Sequence, residues 1–257
     1  MKKNNYKALI AEAIGTFVLV FFSCGVAVMT GDLFATALTF GLVIVFMSFI
    51  IGKISGCHIN PAVSLACLMT KRMSVRDFVG YVIAQVVGAL LGAIILFALI
   101  KMNDVDGSFF KIAGSNLTAT HRLEAGPIFS AMFIEIILTF VFVYIILHVT
   151  DEKNGLVKYA GLIIGIALMF VHLLGIGFTG TSVNPARSIG TAFGDLIFSG
   201  EAKALEHVWI FILAPMGGGA LAAIAYSAIN KEKDNKPAEE AKEEAKEAPA
   251  EEEAKAE

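Results

Sequence analysis

Six stretches of the chain are almost continuously apolar: residues 8–29, 34–51, 79–100, 128–149, 159–178 and 208–229. A helix needs about 20 such residues to cross a bilayer. Inside lipid the backbone must satisfy its own hydrogen bonds, which a helix does. Each stretch is therefore predicted to be a membrane-spanning helix. Two shorter apolar pieces, 59–69 and 183–194, begin with Asn-Pro-Ala at Asn60 and Asn184. They are too short to cross and predict half-helices that enter the membrane and stop there.

The pattern is written twice. Ala11-Glu12-Ala13-Ile14-Gly15-Thr16-Phe17 opens the first span and Ile134-Glu135-Ile136-Ile137-Leu138-Thr139-Phe140 the fourth, with the glutamates 123 residues apart. Asn60-Pro61-Ala62-Val63-Ser64 and Asn184-Pro185-Ala186-Arg187-Ser188 follow in step, 124 apart. Gly88-Ala89-Leu90 in the third span is matched with Gly219-Ala220-Leu221 in the sixth. Three spans per copy is an odd number, so the second copy, about 128–229, lies upside down relative to the first, about 6–101. Inverted repeats place their sites near the bilayer midplane, at the ends of broken helices. The expected fold is an all-α membrane protein: six transmembrane helices plus two re-entrant half-helices in an inverted repeat.

Asparagine is a favoured N-cap and proline a favoured first helical residue. Asn60-Pro61-Ala62 and Asn184-Pro185-Ala186 therefore start two half-helices that meet at their N-termini. Capping uses the side-chain oxygen and leaves the amide NH2 to donate to a passing neutral molecule such as water. Each N-terminus carries roughly half a positive charge, so the junction repels cations and disfavours a proton relay through a water file.

Composition sharpens this picture. The chain has 257 residues, 56% hydrophobic and 17% charged, with a mean hydropathy of +0.73. Soluble domains carry about 25% charged residues, so the composition argues against an ordinary soluble enzyme. Residues 231–257 hold eleven acids and six lysines; with no apolar face, this Ala/Glu/Lys-rich cytoplasmic tail is expected to be disordered or transiently helical, outside a channel body of residues 1–230. With both termini inside, the cytoplasmic segments hold twelve basic residues and the opposite face five, which supports that orientation. Cys24, Cys57 and Cys67 show no metal or disulfide spacing, and the near-neutral charge gives no footprint for nucleic acid. Phe22-Ser23-Cys24 hints at a lipoprotein cleavage site, but the segment reads as a retained helix. Asn116-Leu117-Thr118 fits a glycosylation acceptor.

Residues 6–229 resemble the aquaporin, or major intrinsic protein, family. The resemblance rests on Glu12, the run Ser55–Val63, Gln85, Glu135, the run Gly180–Ser188 and Pro215. It implies the fold above, a homotetramer with one pore per subunit, no cofactor, no metal, no catalytic residue, and a multi-pass position in a bacterial inner membrane. It also implies a filter of four side chains, matching Phe40, His172, Thr181 and Arg187. Phe-His-Thr-Arg is similar to water-selective bacterial members, whereas glycerol channels place Trp, Gly and a second aromatic beside the arginine and follow Asn-Pro-Ala-Arg with Asp. Here Ser188 follows, with Ala192 four residues on. One departure stands at Ile212 and Ala214, where many water channels carry Trp and Gly. The expected function is a passive water channel that excludes protons and ions; the alternative is a channel for glycerol, ammonia or hydrogen peroxide.

Several residues carry two readings. Glu12 and Glu135 are charges inside spans, costly unless paired; they are either proton carriers or braces for the pore loops, the reading that the family favours. His58 is either a pH gate or a buttress. Cys57, by the symmetry of the repeat with Thr181, approaches the pore from the cytoplasmic side. The carbonyls of Gly56, Cys57, His58, Gly180, Thr181 and Ser182 are expected to form acceptor ladders. Gly88 and Gly92, like Gly161 and Gly165, suit close helix crossings. A coupled transporter would want a charge at the junction, where only asparagines stand. An intramembrane enzyme would need an organising motif that the chain lacks.

Overall fold

The computed structural model describes residues 6–103, 125–200 and 202–254. The acceptor pattern at Asn116, with Lys2, Lys3, Lys111 and Arg122 of the charge count, lies outside them. Among the described residues six helices are long and apolar enough to cross a membrane: Tyr6–Thr30, Leu33–Ser55, Val75–Met102, Ile128–Val149, Val157–Thr179 and Ala204–Asn230. The half-helices are Pro61–Met69 and Pro185–Ser199. The second runs five residues past the expected boundary at 194, ending where Gly200 takes a left-handed conformation.

Local chemistry sets the ends. Asp32 caps the second span by accepting from Ala35 N, and Ser74 caps the third by accepting from Asp77 N. Gly56 and Gly180, at φ of 86° and 75°, end the second and fifth spans and turn the chain into the pore loops. The first span is not uniform. Leu19–Cys24 forms a wider π-helical turn, closed by Gly25, whose N–H reaches the carbonyls of both Phe21 and Phe22.

The packing repeats across the pseudo-two-fold. The first span lies on the third as the fourth lies on the sixth, and the third holds the second half-helix as the sixth holds the first. The second and fifth spans cross at the centre, where Gly41 and Gly165 meet backbone to backbone: a Cβ on either would stand 2.6–2.7 Å from the other's carbonyl oxygen. Gly161 packs against Ser48, and Gly88 and Gly92 against Ala13 and Phe17. These are the close approaches that small residues allow.

The same contacts correct the alignment of the third and sixth spans. Gly88 packs on the carbonyl of Ala13, and the residue that packs on its counterpart Ile136 is Gly218, not Gly219. Gly219 instead faces the carbonyl of Ala62. The sequence match of Gly88 with Gly219 is therefore out by one residue. Three consecutive glycines, Gly217 to Gly219, made two registers look alike, and only packing separates them.

The last helix runs from Lys203 to Ala254. Its backbone stays helical through 231–254, where the sequence suggested disorder or a transient helix. Ala, Glu and Lys are strong helix formers, and the segment propagates from the end of a stable span, which removes the cost of nucleation.

Candidate functional site

Each Asn-Pro-Ala is preceded by a loop wrapped round a buried glutamate. Glu12 Oε1 accepts from Ser55 Oγ at 2.6 Å and His58 N at 2.9 Å; Oε2 accepts from Ile59 N at 2.6 Å and Gln85 Nε2 at 2.8 Å. Glu135 repeats this with Thr179 Oγ1 at 2.7 Å, Ser182 N at 2.9 Å and Val183 N at 2.8 Å. Ser55 and Thr179 in turn accept from Cys57 N and Thr181 N. Both carboxylates are fully buried, so their charge is met entirely by loop and span donors, as a brace requires.

The braces hold strained backbone. Cys57, Ile59, Thr181 and Val183 sit at φ of 53°, 40°, 51° and 47°. Three of the four are β-branched or branched at the position least suited to it, and each such residue costs on the order of 1–3 kcal/mol. A hydrogen bond to a charged group is worth roughly 1.5–3 kcal/mol. With at least three per carboxylate, the loop conformation is over-determined. The N–H groups of His58, Ile59, Ser182 and Val183 turn towards the glutamates, and among the described residues no loop backbone N–H donates to the carbonyls of Gly56, Cys57, His58, Gly180, Thr181 or Ser182.

The two braces are not identical. Gln85 Nε2 donates to Glu12 and also to Ser64 Oγ at 3.0 Å, and His58 Nδ1 lies 3.1 Å from the same hydroxyl. His58 is thus tied into the brace. In the second half Ser182 and Ser188 pair their hydroxyls at 2.6 Å, and the corrected register puts Pro215 opposite Gln85.

The asparagines cap as the sequence suggested: Asn60 Oδ1 accepts from Ala62 N at 2.9 Å and Asn184 Oδ1 from Arg187 N at 3.2 Å. Pro61 and Pro185 open the half-helices, with Ala62 and Ala186 fully buried behind them. The expectation of a free NH2 needs correction. Asn60 Nδ2 donates to Val183 O at 2.7 Å, and Asn184 Nδ2 to Ile59 O at 2.9 Å. Each amide spends one of its two protons on the opposite loop, joining the half-helices, and keeps the other.

Phe40 of the second span, His172 of the fifth and Arg187 of the second half-helix come together. The rings of Phe40 and His172 stack with centroids 3.9 Å apart, and the Arg187 guanidinium carbon lies 5.9 Å from the Phe40 centroid. His172 Nδ1 bonds to Leu168 O at 3.0 Å, while its Nε2 and Thr181 Oγ1 have no hydrogen-bond partner among the described residues. A cavity of about 20 Å³ runs from this cluster to the asparagines, bounded by Leu19, Phe40, Ile44, Phe142, Leu168 and His172 on its apolar side and by His58, Asn60, Ser182 and Asn184 on its polar side. That is room for about one water.

Two contributors were not legible in the sequence. Cys24 lies fully buried in the π-helical turn, on the segment that packs against the second half-helix; nothing in a single sequence marks a π-turn. Gly175, one turn beyond His172, packs directly against Thr181; as one glycine among 24 in an apolar helix it carried no signal.

Residues 1–226 match the family model described as "Major intrinsic protein". The chain is 40% identical over 226 residues to "Glycerol uptake facilitator protein-like 6" of Lactiplantibacillus plantarum, covering 87% of this chain and 98% of that protein. It is 37% identical over 239 residues to "Aquaporin Z" of Rhodopseudomonas palustris, covering 90% and 95%. Among solved structures, the aquaglyceroporin from Plasmodium falciparum aligns with a TM-score of 0.76 at 26% identity over 87% of this chain and 96% of that one. The inverted half-helices, their glutamate braces and this match along nearly the whole membrane body make the chain a member of the major intrinsic protein family of membrane channels.

Proposed function

We propose that the protein is a passive, water-selective channel. The observation that carries this reading is the convergence of Phe40, His172 and Arg187 beside a cavity with room for about one water, which Phe40 and His172 help to line. The His172 ring and the Arg187 guanidinium narrow the path and supply donors; the Phe40 edge keeps it apolar. His172 Nε2 and Thr181 Oγ1 are buried polar atoms whose hydrogen bonds a permeating water completes. The carbonyls of Gly56, Cys57, His58, Gly180, Thr181 and Ser182 line the path as acceptors. At the junction Asn60 and Asn184 each retain one N–H for a water oxygen. The helix N-termini and the fixed charge of Arg187 disfavour cations and protons. Glu12 and Glu135 are structural.

In this reading both termini face the cytoplasm of a bacterial inner membrane, and four copies assemble, each with its own pore. The exposed apolar faces of the spans, with Phe46, Phe49, Phe133 and Phe170 among them, meet lipid or neighbouring copies.

A second reading, a path for glycerol or another small neutral solute, is favoured by the 40% identity to a protein named as a glycerol uptake facilitator. Stopped-flow light scattering on proteoliposomes separates the two. Fast water flow with a low activation energy and no glycerol entry above empty vesicles supports the water channel; glycerol entry comparable with water flow overturns it.

A further inference from the structure

Related positions of the two repeats differ sharply at one place. Beside the first pore loop the first span carries Gly15 and the second Ile51; beside the second loop the fourth span carries Leu138 and the fifth Gly175. Gly15 corresponds to Leu138 and Ile51 to Gly175, by the same offsets of 123 and 124 that relate the glutamates and the asparagines. The large and the small residue have exchanged spans. In the first half the space over Gly15 is taken by Ile51 and Ile59: a Cβ there would stand 2.8 Å from Ile51 Cδ1 and 2.6 Å from Ile59 Cγ2. In the second half the free space lies on the fifth span instead. A Cβ at Gly175 would overlap Thr181 Oγ1 and Leu138 Cδ1.

The consequence is visible in the loops. Cys57 is partly exposed, whereas its counterpart Thr181 is fully buried, with its hydroxyl over the bare backbone of Gly175 and without a partner. Thr181 is also at φ of 51°, a backbone that a β-branched residue rarely adopts. His172, three residues before Gly175 on the fifth span, stacks on Phe40. The gauge of the cluster therefore depends on how deeply Thr181 seats against the fifth span.

We propose that Gly175 is a specificity-determining residue: by lacking a side chain it seats Thr181 against the fifth span and sets the width of the passage between Thr181, His172 and Arg187. This rests on the reading of those residues as the filter. Any side chain at 175 moves Thr181 into the passage and slows the bulkier permeants most.

The test is a double-mutant cycle in proteoliposomes, with water and glycerol permeability measured per inserted channel for wild type, Gly175→Ala, Thr181→Ala and the double variant. Gly175→Ala is expected to lower water permeability about tenfold, in keeping with the cost of overpacking a close-packed site, and to lower any glycerol permeability further. In the Thr181→Ala background, which removes the atoms in the way, Gly175→Ala is expected to change either flux less than twofold. Equal losses in both backgrounds, or wild-type fluxes from Gly175→Ala, overturn the proposal. If Gly175→Ala fails to insert, Leu138→Ala/Gly175→Ala relieves the other overlap and leaves the one with Thr181; it is expected to insert and remain slow, and fast flux from it overturns the proposal. Rapid glycerol entry through wild type would overturn water selectivity but not this coupling, so the two failures are distinguishable.

Discussion

Phe40 and His172, from spans that cross at the centre of the molecule, stack with centroids 3.9 Å apart and planes inclined by 20°. At that spacing nothing passes between the rings. In the proposed channel, passage runs along the free edge of His172, past Thr181 and Arg187, which makes the histidine both the wall and the hydrogen-bonding group. The stack itself is worth about 0.5–1.5 kcal/mol beyond its buried area, and the bond from Nδ1 to Leu168 O fixes the ring's orientation.

Removing that wall widens the passage. His172→Gly is expected to raise glycerol permeability about tenfold or more while water flow persists, since pore diameter and lining donors set selectivity. Glycerol uptake by light scattering measures it. Unchanged exclusion of glycerol would mean that the narrowest point lies elsewhere.

The glutamate braces should report on folding rather than selectivity. Glu12→Gln or Glu135→Gln sets an amide NH2 against loop N–H groups that need an acceptor. The loss is expected to be about 2–4 kcal/mol, the range for breaking a buried charged network, and to appear as a lower unfolding temperature of the detergent-solubilised protein. The protein that does fold should keep the wild-type ratio of water to glycerol flux. A changed ratio with unchanged stability would point to a direct role in permeation.

Of the three cysteines, Cys57 is half-buried in the first pore loop and Cys24 and Cys67 are buried. A mercurial is therefore expected to block flow through Cys57, with block reversed by a thiol reductant. Cys57→Ser should remain open in the reagent. Full sensitivity in that variant would place the reactive thiol elsewhere.

At one end of the bundle Arg72 donates to Leu147 O and Thr150 Oγ1 and lies over the ring of Tyr226, whose hydroxyl donates to Asp151. The hydroxyl of Tyr226 holds the Asp151 carboxyl below its ordinary value, despite partial desolvation. A carboxyl that titrates lower in the folded state contributes stability that is complete above its unfolded pKa and is lost as pH falls through the folded value. The contribution of this cluster should therefore decline below about pH 4. Tyr226→Phe is expected to flatten that part of the profile of unfolding temperature against pH; an unaltered profile would show that the bond is not formed in solution.

Much was legible in the chain itself. Six apolar stretches long enough to cross, with two too short, determined the class, because lipid leaves a backbone few alternatives. The 123- and 124-residue offsets of Glu12 with Glu135 and Asn60 with Asn184 determined the inverted repeat, and the caps followed from asparagine and proline alone. What the tertiary structure decided were relations between segments far apart in sequence. Asn60 gives one proton to Val183, and Asn184 one to Ile59, which no local rule contains. Gly218 rather than Gly219 is the mate of Gly88, because adjacent glycines look alike until a neighbouring carbonyl is present. The π-helical turn that packs the segment of Cys24 against the second half-helix, and the space over Gly175 that receives Thr181, exist only once spans from both repeats have packed. Periodicity and capping act within a few residues and can be read along the chain; the shape of a gap between helices depends on side chains from both repeats at once.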